Sequence, residues 1–233
     1  MTRRLAILVR HGDYEQRPET PSALQPFPLT EKGKSQAHAA GVEIAALCKT
    51  GNWKLSPVIS CSRQLRAWQT AETLAQSLKS ELNLPAVVEE SEGLAERSVG
   101  ALANLTIEEI EAVIAADPRH KPLPYGWKSR SDYKLPFQGA ESLQEAGQRV
   151  TDYLVSQMTL LQESAATVAK IFVGHGASFR HAAHRLGVIE FDDIAQLSMH
   201  HARPIVLEAN DKMSWRQVHG EWKNRYPDEP ATD

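Results

Sequence analysis

The chain has 233 residues, 24% of them charged, with a formal net charge of −3; that length suits one large domain or two small ones, and the mild acidity without a basic cluster argues against a nucleic-acid or membrane surface. No apolar run approaches the roughly 18 residues that a spanning helix needs, and residues 5–9 are too short a run for a signal-peptide core. Two cysteines, Cys48 and Cys61, are too few for a disulfide framework or a zinc cage, which suits a reduced, cytoplasmic setting.

In chain order, residues 4–10 form a short apolar run that ends in Arg10-His11-Gly12. Such a run beside a glycine reads as a buried parallel strand. Thr30 fits an N-cap for a helix reaching about Lys49, with Ala37, Ala40, Val42, Ile44 and Leu47 as its apolar positions. A strand is expected near 57–61, with Ser62 capping a second helix to Leu82, and another strand near 85–89. Thr106-Ile107-Glu108-Glu109 and Ser142-Leu143-Gln144-Glu145 both match a capping box, so helices should start there. Between them, 117–139 carries Pro118, Pro122, Pro124 and Pro136 without periodicity, as expected of a long loop or lid over the sheet edge. Residues 168–174 repeat the strand pattern and run into His175-Gly176-Ala177-Ser178, where a helix should open. Strands near 203–208 and 213–218 follow, offering an edge that can pair across a homodimer. The polar residues 226–233 are expected to fray. Strands alternating with helices favour an α/β protein, a three-layer α/β/α sandwich with a mostly parallel central sheet. The expected organisation is a single domain, 1–233, with an inserted lid at about 117–139.

Chemistry concentrates where these strands end, since open α/β sheets bind ligands beyond their carboxyl edges. A neutral imidazole is a nucleophile near pH 7, so His11 is one candidate, with Gly12 allowing close backbone approach. Arg10 supplies a planar fork that matches phosphate oxygens. His175 precedes a helix whose first N–H groups, at Gly176 and Ala177, are expected to face an anion; Ser178 reads as a cap or first-turn residue. Arg63 and Arg66 are three apart at the expected start of a helix, where two cations oppose the dipole unless an anion offsets them. Glu96 can serve as a proton donor, although Glu89, Glu90 and Glu92 compete with it on these grounds. His181, His184, His200 and His201 lack the partners of a zinc set and read as packed or exposed residues. Trp53, Trp68, Trp215 and Trp222 read as packing, whereas Trp127 and Tyr133 lie where lid aromatics shape specificity.

Taken in order, Arg10-His11-Gly12, Leu29-Thr30-Glu31-Lys32-Gly33 with Gln36-Ala37, residues 62–71, Leu94-Ala95-Glu96 with Gly100, Glu141-Ser142-Leu143 with Arg149-Val150, and His175-Gly176 with Arg180 resemble the histidine phosphatase superfamily, also called phosphoglycerate-mutase-like. The likeness spans about residues 4–185. It implies that His11 becomes phosphohistidine, that Arg10, Arg66 and His175 hold the phosphoryl group, and that Glu96 protonates the leaving group and then activates water. It also implies that no metal or other cofactor is needed, because the arginines supply the charge. Further contacts to substrate are expected from Gly12, Arg17, Ser62, Gly176, Ala177, Lys128 and Arg130. The sequence departs from the family where Asp13-Tyr14-Glu15-Gln16-Arg17 follows the first glycine, so that Arg17 stands in for a second phosphate contact. Expected partners are a small phosphorylated metabolite and inorganic phosphate. The leading expectation is a phosphomonoester hydrolase. A phosphoglycerate-type mutase is its rival, with Trp127-Lys128-Ser129-Arg130-Ser131 resembling a basic mutase lid. A non-catalytic interaction module on the same fold is a third reading.

Overall fold

The computed structural model describes residues 3–21, 24–161 and 166–225; the expected fraying of 226–233 lies outside the described residues. A seven-stranded sheet forms the middle of the molecule. Strand β1 (Arg4–Arg10) pairs in parallel with β5 (Val168–Gly174), which pairs in parallel with the two-residue β2 (Lys54–Leu55) and with β3 (Val58–Ser62). β3 pairs in parallel with the edge strand β4 (Val87–Ser91). On the other side of β1, β7 (Pro204–Ala209) and β8 (Trp215–His219) continue antiparallel. The sheet is therefore mixed and mostly parallel, with β8 rather than β7 as its second edge. A separate pairing of β6 (Leu197–Ser198) with β9 (Lys223–Asn224) was not readable from the sequence, since two-residue strands carry no periodicity.

Side-chain alternation along β1 builds the three layers. Leu5, Ile7 and Val9 point to one face, where they meet Ala40 and Ile44 of α1 (Glu31–Gly51) and Ala67, Leu74 and Leu78 of α2 (Leu65–Leu82). Ala6 and Leu8 point to the other, against Val150, Leu154 and Met158 of α4 (Leu143–Leu160) and Phe179 and Ala182 of α5 (Gly176–Arg185). Both faces of β1 are sealed, which is why it reads as a continuous apolar run.

The caps explain most helix boundaries. The Thr30 hydroxyl accepts from Gly33 N–H, and capping boxes open α3 (Ile107–Ala116) at Thr106 and α4 at Ser142. α1 and α2 end on Asn52 and Asn83 in the left-handed conformation that asparagine tolerates. Ser62 is not the cap of α2. Strand β3 runs through it, Gln64 stands at the cap position with no side-chain bond, and the helix starts at Leu65.

Residues 117–139 contain one 3₁₀ turn, Trp127–Ser129, but are not loose. Trp127 and Leu135 are buried with Val99, Leu102, Ile110, Ile114 and Ala140 in a small core of their own. The Trp127 indole N–H donates to Glu111 Oε1 at 3.1 Å. The lid is stitched to the main layers where Gln144 N–H donates to Ser131 O and where Arg97 donates to Lys128 O. Trp127, expected to shape specificity, is thus a core residue of the lid, with Tyr133 packed partly against the same cluster.

One backbone approach fixes how α1 meets the strand end. A Cβ on Gly12 would lie 2.5 Å from Gly33 O, and one on Gly33 would run into Asp13 O. The glycines let the first turn of α1 lie directly on the segment after β1. Gly33→Ala should therefore destabilise the protein by about 2 kcal/mol, read as a lower urea midpoint with unchanged slope; an unaltered midpoint would contradict this packing.

Candidate active site

Register brings the site together. Arg10 is level with Gly174, so the residues that follow, His11 and His175, leave adjacent strands side by side, and His11 N–H donates to Gly174 O at 3.0 Å. Cys61 is level with Val173, which carries Ser62 to the same edge. The His11 and His175 rings are 5.2 Å apart.

The hydrogen bonds determine which imidazole nitrogen carries the proton. His11 Nδ1 faces Gly12 O at 2.8 Å, and a carbonyl oxygen only accepts, so Nδ1 bears the hydrogen and Nε2 keeps the lone pair. His175 has the opposite tautomer. Its Nδ1 lies 3.3 Å from Arg66 Nη2, which only donates, so the proton is on Nε2 and is donated to Ser62 Oγ at 2.8 Å. Burial holds the His11 pKa well below its ordinary value, and its electrostatic interactions with Arg66, His175, Arg10 and His201 push the same way.

Two guanidinium groups flank the imidazoles. Arg66 is fully buried, donates to Gln25 O at 2.9 Å and lies 4.7 Å over the Tyr14 ring. Burial lowers its pKa, opposed by Tyr14 and Glu96, but a guanidinium remains cationic in a protein. Arg10 is buried and donates from Nη1 to Met199 O at 2.9 Å. Arg63 is elsewhere: it precedes α2, so the helical three-residue spacing does not bring it beside Arg66, and its exposed side chain pairs with Glu92 at 2.7 Å.

Glu96 is the buried carboxylate of the four weighed. Glu89 and Glu90 lie exposed on β4, and Glu92 is spent on Arg63 at the surface. Glu96 Oε1 accepts from Arg97 N–H at 2.8 Å and Ser178 N–H at 3.1 Å; its Oε2 accepts from Ala177 N–H at 3.3 Å. The start of α5 thus binds an anion, as the sequence suggests, but the anion is the protein's own carboxylate. Arg149 braces the same segment, donating to Ala95 O while pairing with Glu141 at 2.8 Å.

Several expected substrate contacts have partners within the protein. Gly12 N–H donates to Thr70 Oγ1, and Ser62 is the acceptor for His175. Ala177 N–H is directed at Glu96, while Gly176, its neighbour, is the first residue of α5. Arg17 reaches across to Asn104 O at 2.7 Å. Arg130 is ion-paired with Asp132 at 3.1 Å, and Lys128 is tied into the lid through its carbonyl. Of these, Ser62 touches one of the clustered residues, His175, through its side chain.

Three site residues escaped the sequence reading. Tyr14 meets the His11 ring edge-on at 5.2 Å, Thr70 holds Gly12, and His201 donates from Nδ1 to His11 O at 3.0 Å with its ring 5.4 Å from that of His11. Tyr14 and His201 lie outside the quoted motifs; Thr70 lies within the 62–71 motif, four residues after Arg66 on one face of α2. His181 and His184 bond to Ala177 O and Ile189 O, and burial pushes the His181 pKa down to about 4. Among the described residues, no group of three or more His, Cys, Asp or Glu side chains is arranged to hold a metal ion. None of the described helices is long and apolar enough to cross a membrane.

The profile of the histidine phosphatase superfamily (branch 1) matches residues 6–221. The chain belongs to that superfamily. It is 27% identical over 210 residues to the 2,3-bisphosphoglycerate-dependent phosphoglycerate mutase of Parvibaculum lavamentivorans, covering 89% of this chain and 91% of the relative. The corresponding mutase of Brucella ovis is 27% identical over 211 residues, covering 89% and 93%. Among solved structures, a mycobacterial glucosyl-3-phosphoglycerate phosphatase superimposes with a TM-score of 0.69 at 21% identity, over 92% of this chain and 97% of that one. A phosphoserine phosphatase mutant of Entamoeba histolytica does so with a TM-score of 0.65 at 18% identity, over 94% and 96%. At these identities the structural likeness speaks for the fold.

The low proton affinity of His11 has a consequence for stability. Its folded pKa lies below the unfolded value of about 6.5, so the native state binds fewer protons than the unfolded state as pH falls. Its contribution is complete above about pH 6.5 and is lost below it, with a slope of up to about 1.4 kcal/mol per pH unit. His11→Asn should flatten the dependence of urea-unfolding free energy on pH between about pH 7 and pH 5 by up to one proton. An equal slope in both proteins would contradict a buried, neutral His11.

Proposed function

We propose that the protein is a phosphomonoester hydrolase that works through a phosphohistidine intermediate on His11, with a small phosphorylated metabolite as substrate. The observation that carries this reading is the contact of His11 Nδ1 with Gly12 O, which leaves Nε2 as a buried, unprotonated nucleophile beside two cations. In the first step Nε2 attacks phosphorus, the ester P–O bond breaks, and the leaving oxygen takes a proton from Glu96. Oε2 is the atom suited to carry that proton, because Oε1 is held by two shorter N–H contacts. In the second step Glu96 takes a proton from water, the water oxygen attacks phosphorus, and the N–P bond breaks to release inorganic phosphate. Arg10 and Arg66 offset the charge on the transferring group, with His175 beside them. The scheme draws its positive charge from these side chains and calls for no metal ion.

Transfer back to a second hydroxyl, the mutase reading, has the names of the curated relatives in its favour. The lid favours hydrolysis. A bisphosphate held for reorientation needs uncompensated positive charge around it, yet three of the five Lys and Arg side chains of 117–139, Arg119, Arg130 and Lys134, pair with a carboxylate, Asp117, Asp132 and Glu145. The buried free thiols Cys48 and Cys61, which burial pushes to about 11 and about 12, suit a reducing compartment such as the cytoplasm.

The test is a panel of phosphorylated metabolites assayed in parallel for phosphate release and, with 3-phosphoglycerate and a bisphosphate primer, for isomerisation. Phosphate release should dominate, and His11→Asn should lower it at least about a thousandfold. Isomerisation outpacing release would establish the mutase reading, and undiminished release by His11→Asn would remove the phosphohistidine.

A further inference from the structure

Two separate hydrogen-bonded routes join the lid segment 128–131 to Glu96. The first runs through His181 on α5. Its Nδ1 faces Ala177 O at 2.8 Å, and a carbonyl only accepts, so Nδ1 carries the hydrogen and Nε2 the lone pair. The Ser131 hydroxyl, 3.1 Å from Nε2, is therefore the donor there. Ala177 O and Ser178 N–H are the two ends of one peptide unit, and that N–H donates to Glu96 Oε1 at 3.1 Å. Polarity thus runs one way along the chain, from hydroxyl to imidazole to peptide to carboxylate. Hydrogen bonds aligned in this manner strengthen one another in a low-dielectric interior, and His181 is buried and neutral. The second route is shorter. Arg97 Nη2 donates to Lys128 O at 3.2 Å, and the N–H of the same residue donates to Glu96 Oε1 at 2.8 Å.

We propose that His181 is a positioning residue, through which Ser131 of the lid fixes the orientation of the Glu96 carboxyl. The proposal rests on the hydrolase reading above, in which Glu96 protonates the leaving oxygen. Both routes end on the same atom, Oε1, and Oε2 is the atom to which that reading gives the proton. Half a turn of the carboxyl would exchange the two oxygens, and donors fixed on Oε1 oppose it. Ser131 is well placed to act as the outer anchor. Its carbonyl accepts from Gln144 N–H at 3.0 Å, and Trp127 and Leu135 on either side of it are buried in the lid's own core. The lid core therefore sets where the hydroxyl lies, and His181 carries that position to the peptide that binds Glu96. Ser131 is half-buried, and its truncation leaves the cores intact.

The experiment measures kcat/KM, which reports transfer to His11, for glycerol 3-phosphate and for 4-nitrophenyl phosphate. The glycerol leaving oxygen needs a proton, whereas 4-nitrophenolate departs without one. Ser131→Ala should lower the value for glycerol 3-phosphate by roughly fivefold and leave that for 4-nitrophenyl phosphate within about twofold. Ser131→Thr, which keeps the hydroxyl, should retain both. His181→Asn keeps a donor for Ala177 O but is too short to reach Ser131. It should match Ser131→Ala, and the double variant should lose no more than either single one. In a Glu96→Gln background, Ser131→Ala should change neither ester. Equal losses on the two esters, no loss on either, or a selective loss that persists without the Glu96 carboxyl would overturn the proposal. If neither ester is hydrolysed, or His11→Asn hydrolyses them undiminished, the hydrolase reading fails on its own. The amide proton of Ser178 then decides the link: Ser131→Ala should move its NMR shift upfield, as a weaker bond to Glu96 requires, and an unmoved shift overturns it.

Discussion

A carbonyl oxygen offers no proton, so the contact between Gly12 O and His11 Nδ1 leaves the ring one way to be neutral. The lone pair then resides on Nε2, and burial among Arg10, Arg66, His175 and His201 keeps protons from competing for it. The rest of the site depends on that carbonyl staying in place. It is held because Gly12 N–H is bonded to Thr70 on α2, because a Cβ-free contact joins Gly12 to Gly33 on α1, and because His11 N–H is bonded to Gly174 on β5. Both helices of one layer and the neighbouring strand therefore position a single peptide unit.

The carboxylate side of the site follows a parallel logic on the opposite layer. Helix α5 directs its first N–H groups at Glu96, and Arg149 on α4 binds the carbonyls around it. A helix N-terminus that a sequence marks as an anion site is here turned inward, fixing the carboxylate to which the proposed mechanism gives the proton transfers. His11 is thus held by the layer of α1 and α2, and Glu96 by the layer of α4 and α5. This arrangement suits phosphoryl transfer, where positioning and charge account for most of the rate.

The parts of this design that were legible in the sequence are those written locally. The apolar runs before His11 and His175, the capping boxes at Thr106 and Ser142, and the proline-rich 117–139 each depend on neighbours in the chain. Glu96 could not be separated from Glu89, Glu90 and Glu92 by local chemistry, because burial at the start of α5 is what distinguishes it; the family resemblance supplied that choice. Ser62 and Arg63 fall outside α2 because β3 extends beyond its apolar residues to Ser62 and the helix starts at Leu65, a shift that no local pattern marks. Tyr14, Thr70 and His201 were invisible for a third reason. Tyr14 lies three residues from His11 but is set there by packing under Arg66, Thr70 reaches Gly12 from α2, and His201 reaches His11 O from the loop before β7, contacts that only the folded chain assembles. The same holds for β6 and β9, too short for a pattern.

The most direct test of the account is ¹⁵N NMR of the His11 imidazole in the ligand-free protein near neutral pH, assigned by comparison with His11→Asn. The account predicts a neutral ring protonated on Nδ1, with an unprotonated Nε2 that persists below the ordinary histidine pKa of about 6.5. A ring protonated on Nε2, or an imidazolium at neutral pH, would contradict it.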